Sequence, residues 1–228
     1  MNHYIQQILD CSEVWALFIP LIIIYQNKNR IAYLKPVRIY IWVALILNIS
    51  IVLIAKRNQW FSLPKYPNPE WLGSNNFIYN FQSVVRFFLF SWFFILLNQH
   101  LFKKVKRIIP FLFLVVGLIN FIFFEDFFNY GSFSGRLISI EATLLLFYCL
   151  VYYMYMLKDD ESSFRNSPSF WVVTGLSIYV VVNIPIFLFY TALLKQFEGF
   201  TVGIWDVHNI TFIIFCIFLA KAFYESKR

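Results

Sequence analysis

Charge is scarce in this chain. Only 14% of its 228 residues are Asp, Glu, Lys or Arg, against about 25% in soluble globular domains. It has seven glycines, three cysteines and three histidines. Each shortage excludes a kind of chemistry. The few glycines form no P-loop and no Gly-rich phosphate cradle. Cys11, Cys149 and Cys216 lack Cys-x-x-Cys spacing, so neither a disulfide framework nor a zinc ribbon is implied; they read as small apolar side chains. His3, His100 and His208 are too few and too scattered for a membrane metallohydrolase, which needs several ligands on adjacent helices. Ser83 and Ser139 are in no Gly-x-Ser-x-Gly context, so no activated nucleophile is indicated. Lys221 falls at the inner end of the last apolar run, which rules out a retinal-type pigment. No enzyme, metal or cofactor is expected.

What the chain has in abundance is apolar surface: 60% hydrophobic, 22% aromatic, mean hydropathy +0.66. One soluble core of this size cannot hold that excess. Seven spans of about 20 residues need about 140, close to the apolar share of the chain. Runs of Ile, Leu, Val and Phe are found at about 4–25, 37–55, 77–97, 108–124, 137–157, 169–194 and 204–224. In hydrocarbon such runs must be helical, because each backbone N–H and C=O needs an internal partner. The expected fold is an all-α integral membrane protein, a single seven-transmembrane-helix bundle over residues 1–228. The first run is not a secretory signal, since Asp10 and Glu13 precede its core and Lys28 and Arg30 follow it, the reverse of the signal-peptide order.

Thirteen of the nineteen basic residues fall on one side of these spans: Lys28, Arg30, Lys35, Arg38, Lys103, Lys104, Lys106, Arg107, Lys158, Arg165, Lys221, Lys227 and Arg228. Lys56, Arg57, Lys65, Arg136 and Lys195 fall on the other, and Arg86 is inside the third span. The positive-inside rule then puts the N-terminus outside and the C-terminus in the cytoplasm of a cell with an inner membrane. The net charge of +7 records topology and attraction to anionic lipid, not a nucleic-acid footprint. The longest loop, Lys56 to Asn76, carries Pro64, Pro67 and Pro69 between Trp60 and Trp71. It reads either as a lid over the bundle or as an interfacial cover.

Polar residues inside spans are costly and usually face a bundle interior. Here they gather in the outer halves. Gln6, Asp10 and Glu13 share one helical stripe, as do Tyr79, Gln82 and Arg86, by their i, i+3/i+4, i+7 spacing. Asn76, Asn80, Glu141, Asn183, Asp206, His208 and Asn209 map to the same half, and Asn48 lies near mid-membrane. A guanidinium as deep as Arg86 needs a carboxylate, and Glu141 is the expected partner, with Glu13 at similar depth. The pair either fixes helix registry or belongs to a ligand-binding or proton-responsive cluster of Asn80, Arg86, Glu141, Asn183, Asp206, His208 and Asn209. His208 reads as a pH-sensitive group or as an interfacial hydrogen-bonding side chain. Asp206 is also placed to act as the N-terminal cap or a first-turn acid of the last span, and Asn75 and Asn76 as caps of the third.

The runs Trp171-Val172-Val173-Thr174-Gly175-Leu176, Ile204-Trp205-Asp206-Val207-His208-Asn209 and Ala220-Lys221-Ala222-Phe223-Tyr224-Glu225 resemble uncharacterised seven-helix integral membrane proteins of Bacteroidota. Their layout is similar to the sensory membrane modules that precede bacterial histidine kinases. The resemblance implies a class and no site. The loops leave no room for an output domain. The expected role is therefore a sensor or receptor-like subunit with an outward polar pocket for a small molecule or a proton, signalling through a histidine kinase or another membrane protein. A small transporter or channel is the alternative, disfavoured because Phe88, Phe90, Trp92, Phe215 and Phe218 look set to seal the inner half. A structural subunit of a membrane complex is a third.

Overall fold

The computed structural model describes residues 3–27, 31–60, 76–127, 134–158 and 167–227. The proline-bearing loop from 61 to 75, with Asn75, and the basic residues Lys28, Arg30, Lys65, Arg165 and Arg228 lie outside them. Among the described residues every regular element is helical: α1 (His3–Asp10), α2 (Ser12–Trp15), α3 (Phe18–Gln26), a short 3-10 turn (Ala32–Leu34), α4 (Lys35–Trp60), α5 (Asn76–Leu96), α6 (Lys103–Phe123), α7 (Gly135–Lys158), α8 (Pro168–Gln196) and α9 (Glu198–Glu225). Six stretches are long and apolar enough to cross a membrane, Ala32–Ile54, Asn76–Leu96, Lys103–Phe123, Gly135–Lys158, Pro168–Tyr190 and Gly203–Glu225. The chain is a multi-pass helical membrane protein.

The run at 4–25, expected as one continuous span, is broken into α1, α2 and α3. The second break has a covalent cause. Pro20 has no N–H to give the carbonyl four residues earlier, and its ring crowds that carbonyl. The Ala16 carbonyl takes the Ile19 N–H at 3.1 Å instead, and the turn falls at Ala16–Leu17. At the first break Cys11 leaves helical geometry (φ −96°, ψ 4°), and the Trp15 indole N–H reaches back to the Ile8 carbonyl at 2.8 Å. Pro185, by contrast, is carried inside an unbroken α8.

α9 starts earlier than the apolar run suggests, and only Phe197 separates it from α8. Asp206 is consequently more than two turns inside α9 rather than at its N-terminus, so it is no cap. The α8–α9 contact is the most extensive in the bundle, followed by α7–α8. Gly175 permits it: a β-carbon there would stand 2.5 Å from Phe218 Cβ. α5 packs on α4, α6 and α7, while α1, α2 and α3 all lie along α9. Contacts at both ends show that this first segment runs parallel to α9. Gln6 on α1 meets Asp206 in the first half of α9, and Asn27 after α3 meets Phe223 and Ser226 at the end of α9.

α6 is the outermost span. Ile108, Phe111, Leu118, Ile122 and Phe123 on it are more than half exposed, a face suited to lipid and to nothing aqueous. Inside, rings from five helices pack against one another. Tyr40 meets Phe90 at 5.0 Å, Phe90 meets Phe215 at 5.9 Å, Phe87 meets Phe113 at 4.1 Å, and Phe94 stacks on Tyr148 at 5.0 Å. Phe90 and Phe215 are among these rings as the sequence suggests. Trp92 instead turns outward beneath Lys35, and Phe218 packs on Trp171. Gly175→Ala should lower unfolding stability by about 1–3 kcal/mol through overpacking against Phe218. Gly203→Ala, with nothing within 4 Å, should not lower it; thermal unfolding of the two variants in detergent checks the difference.

Candidate functional site

Arg86 is eleventh in α5, about 15 Å along the helix at 1.5 Å per residue, so near the middle of a hydrocarbon-length span. An ion so placed must be fully paired, and it is. Its Nε donates to Glu141 Oε1 at 2.5 Å, one terminal nitrogen donates to Glu141 Oε2 at 2.7 Å, and the other donates to the Tyr179 hydroxyl at 3.0 Å. The Ser83 hydroxyl, one turn earlier on α5, donates to Glu141 Oε2 as well. Glu141 is fully buried and Arg86 nearly so. This fork-to-fork pair with a flanking hydroxyl on each side joins α5, α7 and α8 and gives both ions good geometry.

A second network lies on the side facing the broken segment. His208 on α9 uses both ring nitrogens: Nδ1 contacts Asn183 Oδ1 at 2.5 Å, and Nε2 contacts Glu13 Oε1 on α2 at 3.1 Å. The Asn183 amide nitrogen already donates to the Tyr179 carbonyl at 2.7 Å and to Thr211 Oγ1 at 3.2 Å, so its oxygen is what faces the ring and Nδ1 is the donor. A hydrogen bond across the Nε2–Glu13 contact requires one proton there, carried either by the ring or by the carboxyl group. Tyr79 adds a long contact to Glu13 Oε2 at 3.5 Å, and Asn48 on α4 donates to the Glu13 carbonyl at 2.7 Å. Trp205 lies against the His208 ring at 4.8 Å.

The two networks meet at Tyr179 and enclose a cavity lined by Glu13, Tyr79, Gln82, Arg86, Tyr179 and His208, with Ile138, Phe187 and Phe212 as its apolar wall. Its volume is about 20 Å³, room for roughly one water molecule. The buried Gln82 amide oxygen has no hydrogen-bond partner among the described residues. No organic ligand fits this space.

Of the residues singled out in the sequence, Arg86, Glu141, Asn183 and His208 come together here. Only Arg86 and His208 of these line the cavity, with Glu141 and Asn183 hydrogen-bonded behind them; the other three belong to neither network. Asn80 takes the Ser134 N–H at 2.8 Å and donates to the Phe127 carbonyl at 3.0 Å. It fastens the stretch before α7 to α5, beside a cluster in which Asn120 and Ser134 both donate to Glu125 Oε2. Asp206 accepts from Gln6 Nε2 at 3.0 Å and ties α9 to α1. Asn209 is buried, and among the described residues neither of its side-chain polar atoms has a partner. Asn183 and Thr211, both in the His208 network, are bound to carbonyls of their own helices, as polar side chains in apolar helices commonly are. Tyr179 was missed. It precedes Asn183 by one helical turn and so shares its face, but one tyrosine among 14 carries no signal until its ring is seen over Arg86, at 5.3 Å.

Fold and site together define a multi-pass membrane protein whose bundle encloses an ion pair coupled to a histidine–carboxylate contact. Comparison of the chain with protein-family models, curated proteins and solved structures finds no match.

Truncating one partner of a buried pair strands the other, at a typical cost of about 3–5 kcal/mol, whereas replacing both with apolar residues is often neutral. Glu141→Ala should therefore destabilise the chain by that amount. Arg86→Met combined with Glu141→Leu should recover most of the loss in the same unfolding assay.

Proposed function

We propose that the chain is a sensor subunit of the inner membrane, in which the proton held between Glu13 and His208 sets the position of the first segment. A partner membrane protein, a histidine kinase being the kind expected from the layout, reads that position. In this reading α1–α3 crosses the membrane as a seventh, interrupted span, with the N-terminus outside, the C-terminus in the cytoplasm and the polar network toward the outer face. The concentration of Lys35, Arg38, Lys103, Lys104, Lys106, Arg107, Lys158, Lys221 and Lys227 toward the opposite end supports that orientation.

The observation that carries the reading is the His208 ring, bound at one nitrogen by a spanning helix and at the other by the short helix α2. Removing the shared proton leaves the Nε2 lone pair facing the Glu13 carboxylate, and adding another leaves donors on both sides. The contact is strongest at one proton count and weakens on either side of it. The groups facing the pair are Tyr79 from α5 and Tyr179 from α8, with Arg86 and Glu141 beyond Tyr179 already neutralising each other. A water-sized cavity suits a proton better than an organic ligand. The packed aromatic rings beneath it favour sensing over transport, which needs a continuous polar path or alternating access.

Hydrogen exchange of the chain in lipid nanodiscs, followed across about pH 5 to 8 where histidine ordinarily titrates, tests this. Exchange in α1–α3 should rise as pH moves away from the one-proton state, while α7 and α8 stay protected. His208→Gln should flatten the profile. A profile that is the same in the wild type and the variant would sink the proposal.

A further inference from the structure

Three more polar side chains are buried around the first helix break and have unmet hydrogen-bonding atoms. They are Ser12 on α2, Asn48 on α4 and Asn209 on α9, each no more than 1% exposed. Among the described residues nothing partners Ser12 Oγ, Asn48 Oδ1 or either polar atom of the Asn209 amide. Orphaned buried groups are rare in native proteins and commonly mark a bound water or ion.

Asn48 Nδ2 is fixed on the carbonyl of Glu13, so its amide oxygen is held beside α2, where Ser12 is the adjoining residue. α2 packs on both α4 and α9. Asn209 adjoins His208, whose ring reaches Glu13. On α9 it lies, by helical rotation, between Asp206 and Phe223, the two residues that contact the first segment at Gln6 and Asn27. The three side chains thus belong to the three helices that meet at the break. The C-terminal end of α1, with its partial negative charge, points into the same region.

We propose that Ser12, Asn48 and Asn209 form a binding site for a monovalent cation, Na⁺, at the interruption of the first segment. The donor set is what such an ion needs: neutral oxygens from separate elements beside a helix terminus, in the manner of broken transmembrane helices that hold Na⁺. Divalent ions are disfavoured, because hard divalent cations take carboxylates and none of the three residues is one. The Asn209 amide nitrogen cannot bind a cation; it donates to a water that the ion retains. The site is separate from the water-sized cavity, whose lining includes none of these residues.

The test uses the full chain in nanodiscs at fixed pH, with NaCl replacing choline chloride at constant ionic strength. Tm should rise with the logarithm of the sodium concentration, by about 3–6 °C at ten times the half-saturating concentration, and KCl should be weaker. Asn209→Ala and Asn48→Ala should each abolish the rise, whereas His208→Gln should keep it, which separates this site from the proton contact. Equilibrium dialysis of the wild type with radioactive sodium should give one saturable site per chain, a result that does not depend on any variant folding. Equal Tm in sodium and choline, an equal effect of every monovalent cation, or a rise that survives both asparagine substitutions overturns the proposal.

Discussion

A guanidinium halfway along an apolar helix of 21 residues cannot reach water at either end, so the neighbouring helices must supply everything it binds. Glu141 supplies the counter-charge and Tyr179 the remaining acceptor. With Ser83 completing the carboxylate, the arrangement fixes the relative height and rotation of α5, α7 and α8. The pair's value lies in registry more than in net stability, since desolvating two ions offsets much of their attraction.

Much of the rest follows from that placement. Once Arg86 holds the Tyr179 hydroxyl, the ring of Tyr179 stacks on Phe215 at 5.4 Å, and Phe215 meets Phe90 and Tyr40. The ion pair is thereby backed by packed aromatic rings on the side away from Asn183 and His208. On the other side, the Tyr179 carbonyl orients Asn183, and Asn183 orients His208. The first segment is attached differently. It is short in each piece and interrupted by Pro20 and at Cys11, and polar contacts from Gln6, Glu13 and Asn27 supplement its packing along α9. A segment of short helices tied by polar contacts is the part of a bundle most readily displaced.

The apolar runs were enough to read the helical class and six of the spans, because hydrocarbon imposes both length and internal hydrogen bonding. Depth alone singled out Arg86 and its need for a carboxylate. The break in the first run was less legible. Pro20 was visible, but Pro185 is just as visible and leaves α8 whole, so a proline does not announce its effect without its neighbours. Helix spacing grouped Glu13 with Gln6 and Asp10, yet Glu13 turns to His208 while Asp206, beyond the reach of that reading, takes Gln6. Asn80 shows the general limit: periodicity gives the face of a helix, not whether that face meets a cavity or, as here, the backbone before α7.

The account turns on one contact, between a carboxylate on the interrupted segment and an imidazole on the last helix. A double-mutant cycle with Glu13→Gln, His208→Gln and the pair, read as unfolding free energy in nanodiscs, measures it most directly. The account predicts a coupling of about 1–3 kcal/mol near neutral pH that shrinks when the pH is moved well to either side. Additive single effects, with no coupling at any pH, would contradict it.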